Sequence, residues 1–244
     1  MACSQDRFLD GRIVAQQPLN GFRAGIDALM LAAAVPACGH DEVLELGCGT
    51  GIASLCLAVR VPECRALGVE IAPDLVELAR ANARANGMEP RLQFECGDAL
   101  DLTQHVRRGF DHVFCNPPFH HAEAHVSPSP DRARALQDAG RLAQWLAAGI
   151  RRVRAGGTFT TVVRADRLGE ALQALPQRGG VIFPLWPRDG APAKRIIIQV
   201  RKNSRGPLVL LPGLILHEKD GSYTRNADVV LRQAGSLALA SPRL

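Results

Sequence analysis

The sequence has few of the features that mark membrane-anchored, exported or disulfide-stabilised proteins. No apolar stretch among its 244 residues reaches the roughly 18 residues that a membrane-spanning helix needs. The charged segment 1–10 lacks the apolar region of a secretion signal. The seven cysteines form no Cys-x-x-Cys pair, which favours reduced thiols packed as small hydrophobic residues. These absences predict a cytoplasmic protein.

The chain also lacks internal repeats, low-complexity tracts and a convincing interdomain linker. Hydrophobic residues make up 47% of it, enough for a sizeable core. We therefore expect a single domain over 1–244, with a core at 41–203. The segments 1–40 and 204–244 are interpreted as N-terminal and C-terminal extensions of that core.

Lysine is scarce, although the chain is basic. Lys194, Lys202 and Lys219 are the three lysines among 29 basic residues, and the net charge is +5. Arginine clamps phosphate groups and stacks on bases, so this balance is typical of nucleic-acid partners. A high arginine content also arises from genomic base composition, which gives the charge modest weight by itself.

Apolar strand patterns alternate with helical patterns along most of the chain, which predicts an α/β fold. The last two core strands have no long helical pattern between them, so they should be antiparallel. The segments 208–211 and 214–217 read as an added edge or a hairpin. Predicted helices cover 23–31, 52–60, 73–86, about 131–153 and 166–174. Predicted strands cover 43–46, 66–70, 92–96, 110–115, 158–163, about 180–185 and about 194–202, with a turn at 156–157.

A glycine-rich turn follows the first core strand. Gly47, Gly49 and Gly51 alternate with other residues, and glycines spaced in this way let the backbone turn sharply and approach a ligand closely. Glu45 lies two residues before the first of them. Dinucleotide-binding enzymes place a similar loop at the same position, so the loop alone leaves a nicotinamide-dependent dehydrogenase open.

Polar side chains follow the next three strands. Glu70 ends one strand, and its carboxylate suits the two hydroxyls of a ribose. Asp98 follows the next strand, where a side-chain acceptor would meet an adenine amino group, and Asn116 follows the one after that. Parallel α/β sheets bind ligands at the carboxyl ends of their strands, so these residues should face one crevice with the glycine turn.

The segment Asn116-Pro117-Pro118-Phe119 is the most informative motif of the chain. Two consecutive prolines fix the backbone and remove two donors, so the turn is stiff and cannot extend the sheet. It offers an amide, unpaired carbonyls and an aromatic ring, which together suit a planar amino group on a base. The alternative is an ordinary proline turn with Phe119 in the core.

Together these motifs resemble the class I S-adenosylmethionine-dependent methyltransferases of the amino-methylating branch, which carry Asn-Pro-Pro-[Tyr/Phe]. The resemblance implies a Rossmann-like fold with a mostly parallel seven-stranded sheet, an antiparallel last strand and helices on both faces. It implies S-adenosyl-L-methionine as cofactor and Asn116, Pro117, Pro118 and Phe119 as catalytic residues. The implied cofactor-binding residues are Asp27, Glu45, Gly47, Cys48, Gly49, Gly51, Glu70, Ile71, Asp98, Ala99 and Asn116.

Two flanking segments, 17–31 and 216–224, resemble the bacterial tRNA adenine N6-methyltransferases that act on the base beside the anticodon of a valine tRNA. This resemblance implies a tRNA substrate and a position for 23–27 over the cofactor. Asp27 could equally cap a helix. That family often has Tyr where Phe119 stands, and Phe is common in guanine N2 enzymes. A guanine N2 methyltransferase therefore stays open as an alternative. A protein glutamine methyltransferase also stays open, because such enzymes use the same Asn-Pro-Pro corner on a side-chain amide.

The loop after the Asn-Pro-Pro-Phe motif contains three histidines, His120, His121 and His125. They resemble a metal cluster, but no second ligand group stands at familiar zinc spacing. We expect no metal and interpret the loop as substrate-facing. Arginines that either contact phosphates or form a solvated helix face follow it: Arg132, Arg134, Arg141, Arg151, Arg152 and Arg154.

Overall fold

The computed structural model describes residues 2–21, 23–102, 109–118, 141–237 and 239. The strands are β1 (Cys3–Phe8), β2 (Ile13–Pro18), β3 (Glu42–Leu46), β4 (Arg65–Glu70), β5 (Leu92–Cys96), β6 (Phe110–Cys115), β7 (Val153–Arg164), β8 (Gly180–Trp186), β9 (Arg195–Arg201), β10 (Leu208–Leu210) and β11 (Leu214–Ile215). The helices are α1 (Ile26–Ala34), α2 (Ile52–Arg60), α3 (Pro73–Ala85), α4 (Leu142–Arg152), α5 (Leu168–Ala174) and α6 (Arg225–Gln233), with a 3₁₀ turn at Ala165–Arg167.

A nine-stranded sheet forms the centre of the described residues. Its order is β10-β8-β9-β7-β6-β3-β4-β5, with β11 also beside β8. Strand β9 runs antiparallel to both of its neighbours, β7 and β8, and the other pairings are parallel. The predicted α/β fold with a mostly parallel sheet and an antiparallel last core strand is confirmed, but β10 and β11 bring the sheet to nine strands where seven were expected. Both β10 and β11 pair with β8 in parallel, so they form an added edge, and a hairpin there was wrong.

Helices cover both faces of this sheet. Successive residues of a strand point to opposite faces, and β3 illustrates this. Val43 belongs to one hydrophobic cluster, with α1, α2 and α3. Leu44 and Leu46 belong to a second cluster, with α4 and α5. In the part of the chain that the structure describes, no helix is both long enough and apolar enough to span a bilayer.

Strand β7 departs from the sequence prediction. The predicted turn at 156–157 lies inside a single strand of 12 residues. The pairing with β6 shifts within it, because the consecutive ladder pairs are Phe110 with Val153 and His112 with Thr158. A side chain on Gly157 would lie 2.3 Å from the Asp111 carbonyl oxygen. Glycine therefore serves here to let two backbones approach at a bulge.

The N-terminal extension contains a hairpin that the sequence did not reveal. Strands β1 and β2 pair antiparallel, and β2 packs on α3. The side chain of Asn82 accepts from the Gln16 backbone N–H at 2.7 Å, and that of Asn86 accepts from the Val14 N–H at 3.1 Å. Ile13 is fully buried. Two asparagines, one in α3 and one at its C-cap, thus replace a strand partner for the backbone donors of β2.

Both extensions contain a helix that contributes to the fold. Helix α1 begins at Ile26, three residues later than predicted, after an N-cap at Gly25. Helix α6 was not predicted. Thr224 caps it, because its hydroxyl accepts from the Ala227 N–H at 3.2 Å, and the buried side chains of α6 join the cluster that contains α1.

Candidate active site

The glycine turn after β3 is held by the neighbouring strand β4. Gly47, Gly49 and Gly51 have φ values of 68°, 54° and 79°, a left-handed conformation that favours glycine. The N–H groups of Gly47 and Cys48 both donate to the Val69 carbonyl, at 2.8 and 3.1 Å. Helix α2 begins immediately after Gly51, so the turn leads directly into a helix N-terminus.

The three glycines meet different surroundings. A β-carbon on Gly47 would lie 2.8 Å from the Trp145 ring, and one on Gly51 would lie 2.8 Å from the Phe94 ring. Tight packing within the protein therefore excludes a side chain at both positions. A β-carbon on Gly49 would have no described neighbour within 4 Å. The middle of the turn thus borders open space, where a ligand can approach the backbone.

Glu70 connects the glycine turn to the end of β4. Its two carboxylate oxygens accept from the N–H groups of Gly49 and Ala72, each at 3.0 Å. Burial raises the pKa of Glu70, although these backbone hydrogen bonds lower it. The adjacent Ile71 side chain is 52% exposed. A carboxylate with further lone pairs thus lies beside an apolar surface, an arrangement that suits a nucleoside.

Asp98 lies at the neighbouring strand end. Residues Glu70 and Cys96 pair in the β4–β5 ladder, and the Gly97 N–H donates to the Glu70 carbonyl at 2.9 Å. Asp98 is partly exposed, and one of its carboxylate oxygens accepts from the Leu100 N–H at 2.8 Å. Ala99 is buried. The ends of β4 and β5 therefore bring Glu70 and Asp98 to the same edge.

Glu45 and Cys48 point into the protein. The carboxylate of Glu45 accepts from both the backbone N–H and the hydroxyl of Ser54, in the first turn of α2. Burial raises the pKa of Glu45 to about 8. Cys48 is 6% exposed, and burial raises the pKa of its thiol well above the usual range. Cofactor contact by these two residues stays a prediction.

Asn116 follows β6, next to the glycine turn. The β3–β6 ladder pairs Leu46 with Cys115, so Asn116 and Gly47 leave adjacent strands at the same level. The side-chain oxygen of Asn116 is buried and has no hydrogen-bond partner among the described residues. Pro117 is buried and Pro118 is partly exposed. A buried amide oxygen without a donor is energetically costly, so this atom can accept a hydrogen bond from a ligand.

Several predicted residues lie outside the described part of the chain. They are Phe119, His120, His121, His125, Arg132 and Arg134. Within the described ranges, no cluster of three or more His, Cys, Asp or Glu side chains is arranged to hold a metal ion.

Asp27 makes an ion pair that the sequence did not suggest. Its carboxylate lies 2.9 Å from the guanidinium of Arg195 on β9. The N-cap of α1 is Gly25, so the interpretation of Asp27 as a helix cap was wrong. Arg23 pairs with Asp6 of the hairpin at 2.6 Å. The first turn of α1 is thus tied to the sheet, and the segment before it is tied to the hairpin.

The arginines around the α4–β7 connection lie away from the glycine turn. Helix α4 ends and β7 begins at Arg152 and Val153, which is the amino edge of the parallel strands. Arg154 pairs with Asp111 at 3.0 Å and with Glu42 at 2.7 Å. Two carboxylates thus hold Arg154 at the edge opposite the glycine turn, and phosphate contact by Arg154 stays a prediction.

Trp145 is a residue near the site whose position the sequence did not reveal. Trp145 lies in α4 and is 7% exposed. Its ring lies under Gly47, as described above, and its indole N–H is buried without a partner among the described residues. No local sequence signal identifies this contact, because α4 and the glycine turn are far apart in the chain.

Comparison with known proteins agrees with this geometry. Residues 43–149 match the profile of a family described as "Methyltransferase domain". The tRNA1(Val) (adenine(37)-N6)-methyltransferase of Porphyromonas gingivalis W83 is 38% identical over 121 residues, which cover 47% of this chain and 46% of that protein. The match thus spans about half the length of that relative. The protein of the same name from Actinobacillus succinogenes is 30% identical over 203 residues, 83% of this chain and 85% of that protein.

A solved structure supports the same fold. The crystal structure described as a predicted O-methyltransferase, protein Atu636 from Agrobacterium tumefaciens, superposes with a TM-score of 0.73 at 22% identity. The match covers 86% of this chain and 98% of that one. With the long match to the Actinobacillus protein, these findings show that the chain belongs to the S-adenosylmethionine-dependent methyltransferase family that includes the tRNA1(Val) (adenine(37)-N6)-methyltransferases.

Proposed function

We propose that this protein transfers a methyl group from S-adenosylmethionine to the exocyclic N6 of an adenine in tRNA, beside the anticodon. The observation that carries the proposal is the buried side-chain oxygen of Asn116, which lies next to the glycine turn and has no hydrogen-bond partner among the described residues. The Asn-Pro-Pro-Phe motif, the net charge of +5 and the names of the relatives support it.

The residues at the carboxyl edge fit the cofactor. Open space beside Gly49 admits a ligand against the backbone of the glycine turn, and the N-terminus of α2 follows. Glu70 would hold the ribose hydroxyls, with Ile71 against the base and Asp98 at the adenine amino group. S-adenosylmethionine supplies an electrophilic methyl group on a positively charged sulfur.

Asn116 and Pro117 would orient the target amino group. The Asn116 side-chain oxygen and the Pro117 backbone carbonyl accept its two hydrogens, which directs the nitrogen lone pair toward the methyl group. Neither acceptor needs to remove a proton before transfer, because the positively charged product amine loses one easily. Most of the rate gain then comes from orientation and hydrogen bonding. The stiff proline pair preserves that geometry, and Phe119 is proposed to stack on the base.

Replacing Asn116 with alanine tests this assignment. We expect Asn116→Ala to abolish methyl transfer and to leave the Kd for S-adenosylmethionine largely unchanged, because the amide contacts the substrate amino group. Asn226→Ala is the matched control, since Asn226 is exposed on α6. A parallel loss of cofactor affinity and turnover in Asn116→Ala would contradict this division of roles.

The substrate is tested with labelled S-adenosylmethionine and total tRNA from a strain that lacks the gene. The RNA is then digested and its nucleosides are separated. Labelled N6-methyladenosine is the expected product. N2-methylguanosine would instead indicate a guanine enzyme. Label found in protein alone would overturn the RNA proposal and favour the glutamine alternative.

A further inference from the structure

Two stacked rings project from the turn that follows β11. The rings of His217 and Tyr223 have centroids 4.9 Å apart and planes inclined by 25°. The two residues also form an isolated antiparallel bridge. Tyr223 is the single tyrosine of the protein and is 38% exposed. It is the one aromatic side chain among the exposed large hydrophobic residues of the described chain.

Hydrogen bonds hold this turn in one conformation. The Glu218 N–H donates to the Ser222 carbonyl at 2.8 Å, and the Asp220 carboxylate accepts from the Ser222 N–H at 2.9 Å. The Nδ1 atom of His217 lies 3.2 Å from the Gly221 carbonyl, which can only accept, so Nδ1 is the donor. The two rings are therefore oriented before any ligand arrives.

The C-terminal side of the turn is anchored as well. The Thr224 N–H donates to the Leu216 carbonyl at 3.0 Å, and the Thr224 hydroxyl donates to the Ile215 carbonyl at 2.6 Å. The same hydroxyl caps α6. Ring orientation is thus fixed from both ends of the turn, which lowers the entropic cost of stacking a further ring on Tyr223.

The turn lies on the same edge of the sheet as Asn116. Strand β11 pairs in parallel with the last residues of β8, and the Leu216 and His217 N–H groups donate to the carbonyls of Trp186 and Pro187. Strands β7, β9 and β8 separate β11 from β6. Four spacings of about 4.8 Å place β11 about 19 Å from β6 across the sheet. A flexible single-stranded RNA segment of a few nucleotides covers this distance.

Exposed side chains of both charge signs lie along the same part of the edge, and the acids among them are Asp189, Glu218 and Asp220. Lys219 lies within the turn, and Arg188 and Lys194 lie in the connection between β8 and β9; all three are exposed. Cationic side chains beside an exposed aromatic ring form the combination by which proteins hold single-stranded RNA: phosphate contacts together with base stacking. The alternative role, in which the rings only close the turn, would not involve the substrate.

From these contacts we propose that the His217–Tyr223 pair is a stacking platform for an unpaired base of the RNA substrate, a few nucleotides from the methylated base. Lys219, Arg188 and Lys194 contact the phosphates on either side. This inference rests on the proposed function, because it assumes an RNA that reaches Asn116. It assigns the turn after β11 to substrate binding, separate from the chemistry at Asn116.

Steady-state kinetics with tRNA test the platform. Tyr223→Leu removes the ring, and we expect the KM for tRNA to rise about tenfold or more, with kcat and the Kd for S-adenosylmethionine unchanged. Tyr223→Phe keeps the ring and should retain the wild-type KM. Leu210→Ala is the control, because Leu210 is a 68% exposed side chain. It lies on β10, which also pairs with β8, and is not part of the turn. Its KM should not change.

The outcomes separate the two proposals. An unchanged KM in Tyr223→Leu, with RNA methylation intact, would overturn the platform and leave the proposed function standing. A loss of thermal stability in Tyr223→Leu large enough to weaken cofactor binding would assign the rings to closing the turn, which also overturns the platform. Failure of the wild-type protein to methylate any RNA would overturn the proposed function itself.

Discussion

Replacement of Glu45 by glutamine should remove a pH dependence of stability that originates in the buried carboxyl group. Glu45 is 4% exposed, and its side chain accepts from the Ser54 N–H at 3.1 Å. Its pKa rises from an ordinary value of 4.5 to about 8, mainly through burial, with a smaller rise from the nearby Glu70 and with the Ser54 hydrogen bonds opposing it. The folded protein therefore keeps a proton that the unfolded chain loses.

The sign of the effect follows from this difference in bound protons. Between pH 4.5 and pH 8 the folded state holds more protons than the unfolded state, so the free energy of unfolding falls as pH rises. Below this window the contribution of Glu45 is complete, and above it the contribution is lost. At about 1.36 kcal/mol for each pH unit, the loss across the window is at most about 5 kcal/mol.

Glutamine has no titration in this range but preserves the shape of the side chain. Its amide oxygen can still accept from Ser54, while its NH₂ group has no assigned acceptor. That unpaired donor costs about 1–3 kcal/mol at every pH. The substitution therefore shifts the whole stability curve and also flattens its slope, and only the slope reports on the buried carboxyl group.

Urea unfolding of both proteins from pH about 5 to about 9 measures this slope. The difference in unfolding free energy between wild type and Glu45→Gln cancels the contributions of all other groups. We expect the wild type to lose several kcal/mol relative to the variant as pH rises, because burial sets the charge of Glu45. Glu77→Gln is the control, since Glu77 is 70% exposed. Parallel curves for wild type and Glu45→Gln would refute the reasoning.

Two further predictions follow from the glycine turn and from α1. Gly51→Ala should lower the free energy of unfolding by roughly 2 kcal/mol, because its β-carbon meets the Phe94 ring. Gly49→Ala should instead weaken S-adenosylmethionine binding in calorimetric titration, and equal stability losses in the two variants would contradict this contrast. Asp27→Ala and Arg195→Ala should each cost about 1 kcal/mol through their shared ion pair, with non-additive losses in the double variant. Cofactor binding weakened by Asp27→Ala alone would instead place Asp27 at the cofactor.

The sequence determined the elements of the core and the order of the site residues. Most predicted strands and helices between 43 and 115 agree with the structure to within a residue, because local apolar periodicity and glycine turns depend on neighbouring residues only. The positions of Glu70, Asp98 and Asn116 at strand ends followed from the same pattern. Parallel pairing then brought them to one edge of the sheet, as the rule for such sheets requires.

Tertiary structure decided the contacts between distant residues, because a local pattern cannot specify which surfaces meet. Asp27 and Arg195 are 168 positions apart, and only the packing of α1 on the sheet joins them. The bulge in β7 depends on the close approach of Gly157 to Asp111. The position of Trp145 under Gly47 depends on the packing of α4. The burial that changes the pKa of Glu45 is likewise a property of the assembled fold, since desolvation requires the side chains around it.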